Sequence, residues 1–189
     1  MKVYVDHDVP TCTSSGGSSS WTNNSRTLIG TCSDSGSGCQ GNASWYINWE
    51  GNWTNLSPGT VYDKAGNSTV CPANQTVRID KTAPSCSLKT SGTVIEDDWY
   101  SSDVSISFAQ KNDNHKVASS SINNKKVSSA GTTKVTGTVK DEAGNIGICT
   151  VTAKKAGKAT LDVQPNNESC KYSGQMNYTG EYAHLGTYG

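Results

Sequence analysis

Two stretches of the sequence nearly repeat each other: YDKAGNSTVC at residues 62–71 and VKDEAGNIGIC at residues 139–149. Each contains Asp-x-Ala-Gly-Asn and ends on a cysteine. Gly and Asn accept the positive φ that a tight hairpin requires, and the Asp can accept backbone N–H bonds across the turn. We therefore expect two equivalent hairpins, each returning a last, cysteine-bearing strand beside the first strand of its unit. The turn residues are Asp63, Gly66 and Asn67 in the first and Asp141, Gly144 and Asn145 in the second.

A second pair of matching stretches opens each unit. VDHDVPTC at residues 5–12 aligns with IDKTAPSC at residues 79–86, so Cys12 falls on Cys86 (86 − 12 = 74). Self-similarity at a fixed period indicates repeated modules. The chain of 189 residues is therefore predicted to hold one domain at 1–80, a second at 81–155, and a tail or partial extra domain at 156–189.

The cysteine spacing predicts how each unit is closed. Cys12 and Cys71 open and close the first unit (71 − 12 = 59), and Cys86 and Cys149 do the same in the second (149 − 86 = 63). The simplest account is one long disulfide in each unit. Closing a loop of about 60 residues stabilises by roughly 4 kcal/mol in the chain-entropy model.

The other cysteines have no counterpart in the repeat. Cys32 and Cys39, in CSDSGSGC, are expected to close a short loop on themselves. Cys170 is then left over in the tail, either as a free thiol or paired with another chain or a missing segment.

Composition and periodicity favour an all-β chain. Only 33% of the residues are hydrophobic, and Gly, Ser, Thr and Asn are abundant. Several runs alternate apolar with polar residues and are rich in β-branched residues, as strands are. The predicted strands are residues 26–32, 44–49, 76–80, 104–110, 133–141 and 146–155.

Charge and cysteine content limit the classes of partner and the cellular compartment that we expect. Sixteen basic residues balance 16 acidic ones, which argues against nucleic acid or an anionic membrane as a partner, and no apolar run is long enough to span a bilayer. Seven cysteines without a CxxC pair indicate disulfides in an oxidising compartment rather than a zinc site. The N-terminal stretch MKVYVDHDVP lacks the apolar run of a signal peptide, which would suit a piece of a longer exported protein or a virion part.

Tryptophans cluster in SWYINWEGNW at residues 44–53. Alternation along a strand places Trp45, Ile47 and Trp49 on one face, and we expect Trp45 and Trp49 to be core residues. Trp53 lies past the following turn. Aromatic rings stack on sugars, so Trp53 and Tyr46 are the candidates for contact with a ligand such as a surface glycan.

Acidic residues give the candidate metal ligands. Calcium prefers carboxylate and carbonyl oxygens, and the acidic residues near the linker ends are Asp6, Asp8, Asp34, Asp63 and Asp80; of these, Asp6, Asp34 and Asp63 are the calcium candidates. The absence of any EF-hand loop favours solvated or turn-capping aspartates instead, so we expect no metal and no cofactor. No catalytic motif is present, and an enzyme is not expected.

The units resemble the tandem immunoglobulin-like repeats of bacterial surface proteins. IDKTAPSC, the early Trp99 and VKDEAGNIGIC are similar to the DxTxP linker and DxAGN turn of those repeats, and VDHDVPTC and YDKAGNSTVC show the same pattern. The resemblance covers roughly residues 3–155 and implies two tandem immunoglobulin-like β-sandwiches, followed by a partly irregular C-terminal tail.

This resemblance implies a non-catalytic structural or adhesive module of a bacterial cell surface or extracellular filament. Two alternatives remain open: a phage or virion decoration or fibre protein that contacts the host, and a carbohydrate-binding module of a secreted enzyme. The expected partners are other protein subunits or neighbouring modules. The Tyr- and Gly-rich tail, with Cys170, Tyr178 and Tyr182, is a candidate assembly segment that would add a strand to a neighbouring subunit.

Overall fold

The computed structural model describes residues 5–158, together with the backbone of residues 160–165 and 172–177. Every regular element in this part of the chain is a β-strand, which confirms the all-β prediction. Spatial contacts divide the described residues into two units. The first comprises the residues up to Pro84 with Asp113–Ala118 and Lys140–Ile146, and the second comprises the remainder. Of the described residues, none belongs to a helix long and apolar enough to cross a membrane.

The strands of the first repeat are short and mostly antiparallel. They are β1 (Thr11–Ser15), β2 (Trp21–Thr22), β3 (Arg26–Ser33), β4 (Ala43–Ile47), β5 (Gly51–Leu56), β6 (Thr60–Tyr62), β7 (Ser68–Val70) and β8 (Gln75–Ile79). They form sheets in the orders β1-β3-β4, β2-β8-β5 and β6-β7, and only the β2–β8 pair is parallel.

The core of the first unit is small. Its fully buried side chains are Leu28, Ile47, Val77 and Ile79, with Trp53 and Leu56 packed against them. Leu28 and Ile47 come from the β3–β4 pair, and Val77 and Ile79 are alternate residues of β8. Period-2 alternation thus supplies the core while the intervening residues face solvent.

The strands of the second repeat are longer. They are β9 (Ser85–Ser91), β10 (Trp99–Tyr100), β11 (Val104–Asn112), β12 (Val117–Ile122), β13 (Lys126–Val127), β14 (Gly131–Asp141) and β15 (Ile146–Lys155), followed by β16 (Thr160–Pro165) and β17 (Tyr172–Asn177). The sheet orders are β10-β15-β14-β12, β13-β11-β9 and β16-β17. The buried core comprises Tyr100, Val104, Ile106, Val127, Val135 and Ala153.

The six strands expected from alternation are all present, with ends shifted by no more than two residues. The two Asp-x-Ala-Gly-Asn stretches also form turns, between β6 and β7 and between β14 and β15. Gly66 and Gly144 adopt φ values of 99° and 102°. The neighbouring Asn67 and Asn145 are not among the described residues with positive φ, so glycine alone supplies that conformation.

Three disulfides lock these strands: Cys12–Cys71, Cys32–Cys39 and Cys86–Cys149. They are the pairs that the spacing predicts. Cys86 lies on β9 and Cys149 on β15, in different sheets, so this disulfide ties two sheets together. Cys71 directly follows β7, which is not the last strand of its repeat as expected, because β8 comes after it.

Candidate metal centre

The aspartate of each repeated turn is buried and fully engaged. In the first turn, Asp63 accepts hydrogen bonds from the Asn67 backbone N–H and from Asn67 Nδ2, each at 2.7 Å. In the second, Asp141 accepts the same two bonds from Asn145, again each at 2.7 Å. The expectation that these aspartates accept backbone N–H bonds across the turn is therefore confirmed.

The two turns also anchor the chain segment that opens each repeat. Asn67 Nδ2 donates to the carbonyl of Asp6 at 3.1 Å, and Asn145 Nδ2 donates to the carbonyl of Asp80 at 2.8 Å. Each asparagine thus places a second aspartate beside the aspartate of its turn.

Three aspartates meet at the first turn, and we name them cluster A: Asp6, Asp34 and Asp63. Each offers one carboxylate oxygen, and the three oxygens lie within 4.8 Å of one another. These are the three calcium candidates of the sequence, and the fold brings them together. Asp63 is fully buried and accepts the bonds of its turn, so of the two interpretations, solvated or turn-capping, the turn-capping one applies to this residue.

Backbone N–H groups neutralise much of cluster A. Asp6 accepts from Ser37 at 2.6 Å and from Asp8 at 3.1 Å. Asp34 accepts from Gly36 at 3.1 Å and Gly38 at 2.7 Å. These donors belong to the loop closed by the Cys32–Cys39 disulfide, except for that of Asp8. The N–H groups of this loop therefore place partial positive charge beside the carboxylates of Asp6 and Asp34.

The same donors shift the pKa values of this cluster. Hydrogen bonding from Ser37 lowers the pKa of Asp6 below its usual value, with a smaller contribution from the Asp8 N–H. Burial alone would raise the pKa of Asp63, but the hydrogen bonds from Asn67 and Gly66 outweigh it and hold that pKa below its usual value. Both groups are therefore stabilised in their charged forms.

A second set of three aspartates, cluster B, comprises Asp80, Asp113 and Asp141. Their carboxylate oxygens also lie within 4.8 Å of one another, and all three residues belong to the first unit. Asp80 and Asp141 are the sequence equivalents of Asp6 and Asp63, at the repeat offsets of 74 (80 − 6) and 78 (141 − 63). Asp113 takes the place of Asp34 in the cluster, one residue beyond the position that an offset of 78 gives, Asn112.

The local hydrogen bonds of the two clusters match. Asp80 Oδ1 accepts from the Thr82 N–H at 3.0 Å, two residues on, as Asp6 does from Asp8. Asp113 Oδ2 accepts from the His115 N–H at 3.1 Å, two residues on, as Asp34 does from Gly36. The repeat therefore copies the geometry of the cluster as well as its residues.

The remaining oxygens differ. Asp80 Oδ2 and Asp113 Oδ1 are shut off from solvent and accept no hydrogen bond from any residue that the structure describes. Asp80 as a whole is only 2% exposed. A buried carboxylate oxygen without a partner keeps its full desolvation penalty, so each of these atoms requires an explanation.

No positively charged side chain compensates cluster B within the described residues. Its donors are backbone N–H groups and the amides of Asn114 and Asn145. The two ion pairs found there, Lys116–Glu142 and Lys126–Asp103, involve other carboxylates. Two unit charges about 5 Å apart repel by about 3 kcal/mol at an effective dielectric constant of about 20.

The aromatic residues lie differently from what the sequence predicts. Trp45 is 36% exposed and Trp49 is 52% exposed, so the prediction that both are core is wrong. The reason is topological: β4 is an edge strand that ends at Ile47, so only Ile47 reaches the core from this stretch. Trp53 was expected at the surface, but it is half-buried and fills the core space instead.

Tyr46 alone of the two ligand candidates is well exposed, at 59%. Trp53 instead packs edge-on against Trp49, with ring centroids 6.2 Å apart. The structure therefore does not bring Trp53 and Tyr46 together as one aromatic surface; Trp49 is the exposed ring that Trp53 supports. The assembly candidates Cys170, Tyr178 and Tyr182 lie outside the described residues.

Sequence reasoning missed Asp113 and Asp141 as members of an acidic site. The signal was available for Asp141, because the repeat offset of 78 carries Asp63 onto it (63 + 78 = 141). It was not available for Asp113, because the offsets of 74 and 78 carry Asp34 onto Phe108 and Asn112. The sequence could not reveal that, among the described residues, only cluster B has buried carboxylate oxygens without a hydrogen-bond donor.

Comparison with known proteins adds no assignment. No protein-family model matches the chain, and no curated protein matches it either.

Proposed function

We propose that the chain is a non-catalytic structural or adhesive module of a bacterial cell surface or extracellular filament, built as two immunoglobulin-like sandwiches. The observation that carries the proposal is the pair of long disulfides, Cys12–Cys71 and Cys86–Cys149, whose cysteines are separated by 59 and 63 positions in the sequence. Each clasps nearly the whole of one repeat.

Such clasps suit a protein that transmits tension. Under load, the chain between two bonded cysteines cannot be pulled out. The end-to-end length of an exported module therefore increases little even when its strands separate. Disulfides of this kind form and persist in oxidising, extracellular environments. A virion fibre or decoration protein would use the same property, and a cell-surface location is preferred here because disulfides form slowly during assembly in a reducing cytosol.

Single-molecule stretching tests this proposal. Pulled from its ends with disulfides intact, the chain should extend by about 400 Å less than after reduction, since each locked residue contributes at most about 3.3–3.6 Å. The matched control is Cys32→Ser with Cys39→Ser, which removes a disulfide nested within the first long loop and should leave the extension unchanged. Equal extension before and after reduction would overturn the proposal.

A second candidate function, glycan binding, is favoured by the exposed aromatic rings. Trp49 and Tyr46 are 52% and 59% exposed, and the ring of Trp53 packs edge-on against that of Trp49. An immobilised ring on the surface of an otherwise polar module is suited to stack on the apolar face of a sugar.

Binding to a glycan array distinguishes this candidate. Trp49→Ala should abolish binding, whereas Tyr62→Ala should not, because Tyr62 is an aromatic residue of similar exposure, 48%, on the separate strand β6. Absence of binding by the unmodified chain to every glycan would count against this candidate and leave the mechanical proposal intact.

A further inference from the structure

We propose that cluster B binds one divalent cation, calcium in an extracellular setting. This inference goes beyond the proposed function and does not depend on it. It combines two independent observations: three aspartates whose oxygens converge, and two buried oxygens within that group, Asp80 Oδ2 and Asp113 Oδ1, that accept no hydrogen bond from the described residues.

The ligand chemistry selects a hard cation. Cluster B offers carboxylate oxygens only, with no thiol or imidazole nitrogen among the three side chains, and such oxygens prefer calcium or magnesium over zinc or copper. Calcium bonds oxygen at about 2.3–2.6 Å, so two oxygens on opposite sides of one ion are about 5 Å apart. The three oxygens of cluster B lie within 4.8 Å of one another, so at most a small closing of the cluster brings all of them to bonding distance of one calcium ion.

The charge of the site argues in the same direction. The hydrogen bonds to the three carboxylates come only from neutral donors. Lys116, three residues from Asp113, is engaged with Glu142 at 2.6 Å. A divalent cation supplies the missing positive charge and gives both unpartnered oxygens a ligand bond in one step.

Cluster A is the internal control that the chain itself provides. Its equivalent of Asp80, Asp6, accepts a hydrogen bond from the Ser37 N–H, and its equivalent of Asp113, Asp34, accepts from both Gly36 and Gly38. The disulfide-closed loop that supplies these donors has no counterpart around Asp113. Both bonds to Asp34 reach its Oδ2, as the bond from His115 reaches Asp113 Oδ2, so the clusters differ in their hydrogen bonds at the opening aspartate: Asp6 Oδ2 accepts from Ser37, whereas Asp80 Oδ2 accepts no bond from the described residues. Among the described residues, only cluster B contains buried carboxylate oxygens without a partner.

The bound cation would join three segments that are distant in sequence. Asp80, Asp113 and Asp141 are separated by about 30 residues at each step, and one ion holding all three would stabilise the folded state relative to the unfolded chain. Stabilisation by a ligand that binds only the folded state grows with its free concentration.

The test is calorimetric titration of calcium into chelator-treated protein, with thermal melting of the same samples. We expect one calcium per chain and a melting temperature that rises with calcium. Asp113→Asn should weaken binding by more than about tenfold, because it removes one charged ligand. The matched control, Asp34→Asn in cluster A, should retain both the affinity and the calcium-dependent rise.

Terbium luminescence gives a readout that does not depend on stability. Trp21 packs its ring against that of His115, two residues from Asp113, so tryptophan excitation should sensitise terbium bound at cluster B. Calcium should displace the terbium, and Trp21→Phe should reduce the emission without preventing calcium binding.

Three results would overturn the proposal. They are the absence of calcium binding by the unmodified chain, equal binding by the unmodified chain and Asp113→Asn, and loss of binding in Asp34→Asn but not in Asp113→Asn. If instead a shared proton satisfied cluster B, Asp113→Asn would raise the melting temperature without calcium, and added calcium would raise that of neither protein.

Discussion

Cluster A and cluster B each join three aspartates, two of them at equivalent positions of the repeat, yet only cluster B contains buried carboxylate oxygens without a partner among the described residues. Both have an aspartate held by the asparagine of its turn, a second in the segment that opens the repeat, and a third from a loop between strands. Cluster A adds a short disulfide-closed loop whose N–H groups donate to Asp6 Oδ2 and Asp34 Oδ2. Cluster B lacks that loop and keeps two buried oxygens without a partner. The comparison teaches that one scaffold can neutralise three carboxylates with its own backbone or leave that task to a cation.

Each long disulfide passes close to a glycine: a Cβ on Gly30 would stand 2.5 Å from Cys71 Sγ, and one on Gly137 would stand 3.1 Å from Cys149 Sγ. The two glycines lie on strands that are not equivalent, β3 and β14. The strands around the disulfides therefore differ between the repeats more than the turns that hold Asp63 and Asp141.

The largest effect is expected from removing the frame of cluster A. Cys12→Ser with Cys71→Ser should lower the free energy of unfolding by about 4 kcal/mol. Without the disulfide, the unfolded chain gains the conformational entropy that closing a loop of 59 residues had removed. Urea unfolding under non-reducing conditions measures this loss. The calcium response should persist in this variant, because all of cluster B lies outside residues 12–71.

Loss of the calcium response in that variant would break the comparison, since the two clusters would then depend on one frame. The matched control is Cys32→Ser with Cys39→Ser, for which the short loop predicts a smaller loss of about 2 kcal/mol.

A smaller effect is expected from neutralising the turn aspartate in each cluster. In calcium-free buffer, Asp63→Asn should lower the melting temperature more than Asp141→Asn. Both lose charged acceptors for the turn asparagine, but Asp141→Asn also relieves repulsion in an uncompensated cluster. In saturating calcium the order should reverse, because Asp141→Asn then loses a cation ligand. If the order of the two melting temperatures were the same with and without calcium, the account would be contradicted.

The smallest effect is expected on the pH dependence of folding stability in acid. The pKa values of Asp6 and Asp63 are lower in the folded state than the unfolded value of about 4. Their stabilising contribution is therefore full above that value and is lost as the pH falls through the folded pKa values. Urea unfolding between about pH 5 and pH 2 should show a shallower fall in stability for Asp6→Asn than for the unmodified chain, and equal slopes would contradict it.

Much of the fold could be predicted from the sequence because the signals are local. Alternation in residues 104–110 and 146–155 reports a strand with one buried face wherever it occurs, and the cysteine spacing reports closure of each repeat. Short strands such as β2 and β10 carry no such signal, because two residues are too few to show a period.

The tryptophans show where local signals fail. Trp45 shares a face with the buried Ile47 by alternation, yet burial requires something packed above that face, and β4 is at a sheet edge. Trp53 follows a turn and looks peripheral, but β5 pairs with β8 and carries it into the core. Both outcomes depend on strand order, which periodicity does not encode.

The candidate site was half predictable for a related reason. Asp6, Asp34 and Asp63 could be named because calcium prefers oxygen ligands, and Asp141 follows from the repeat offset. Asp113 does not follow from it, because the offset of 78 leads from Asp34 to Asn112. Which cluster needs a cation depends on individual N–H groups, such as that of Ser37 pointing at Asp6 at 2.6 Å. Such contacts are fixed by loop conformation and leave no trace in residue type.

The most direct test of the central claim is an anomalous difference map from crystals grown with calcium. The account predicts a peak at cluster B, about 2.3–2.6 Å from an oxygen of each of Asp80, Asp113 and Asp141. It predicts no peak at cluster A. A peak at cluster A alone, or a map without a peak at either cluster, would contradict it.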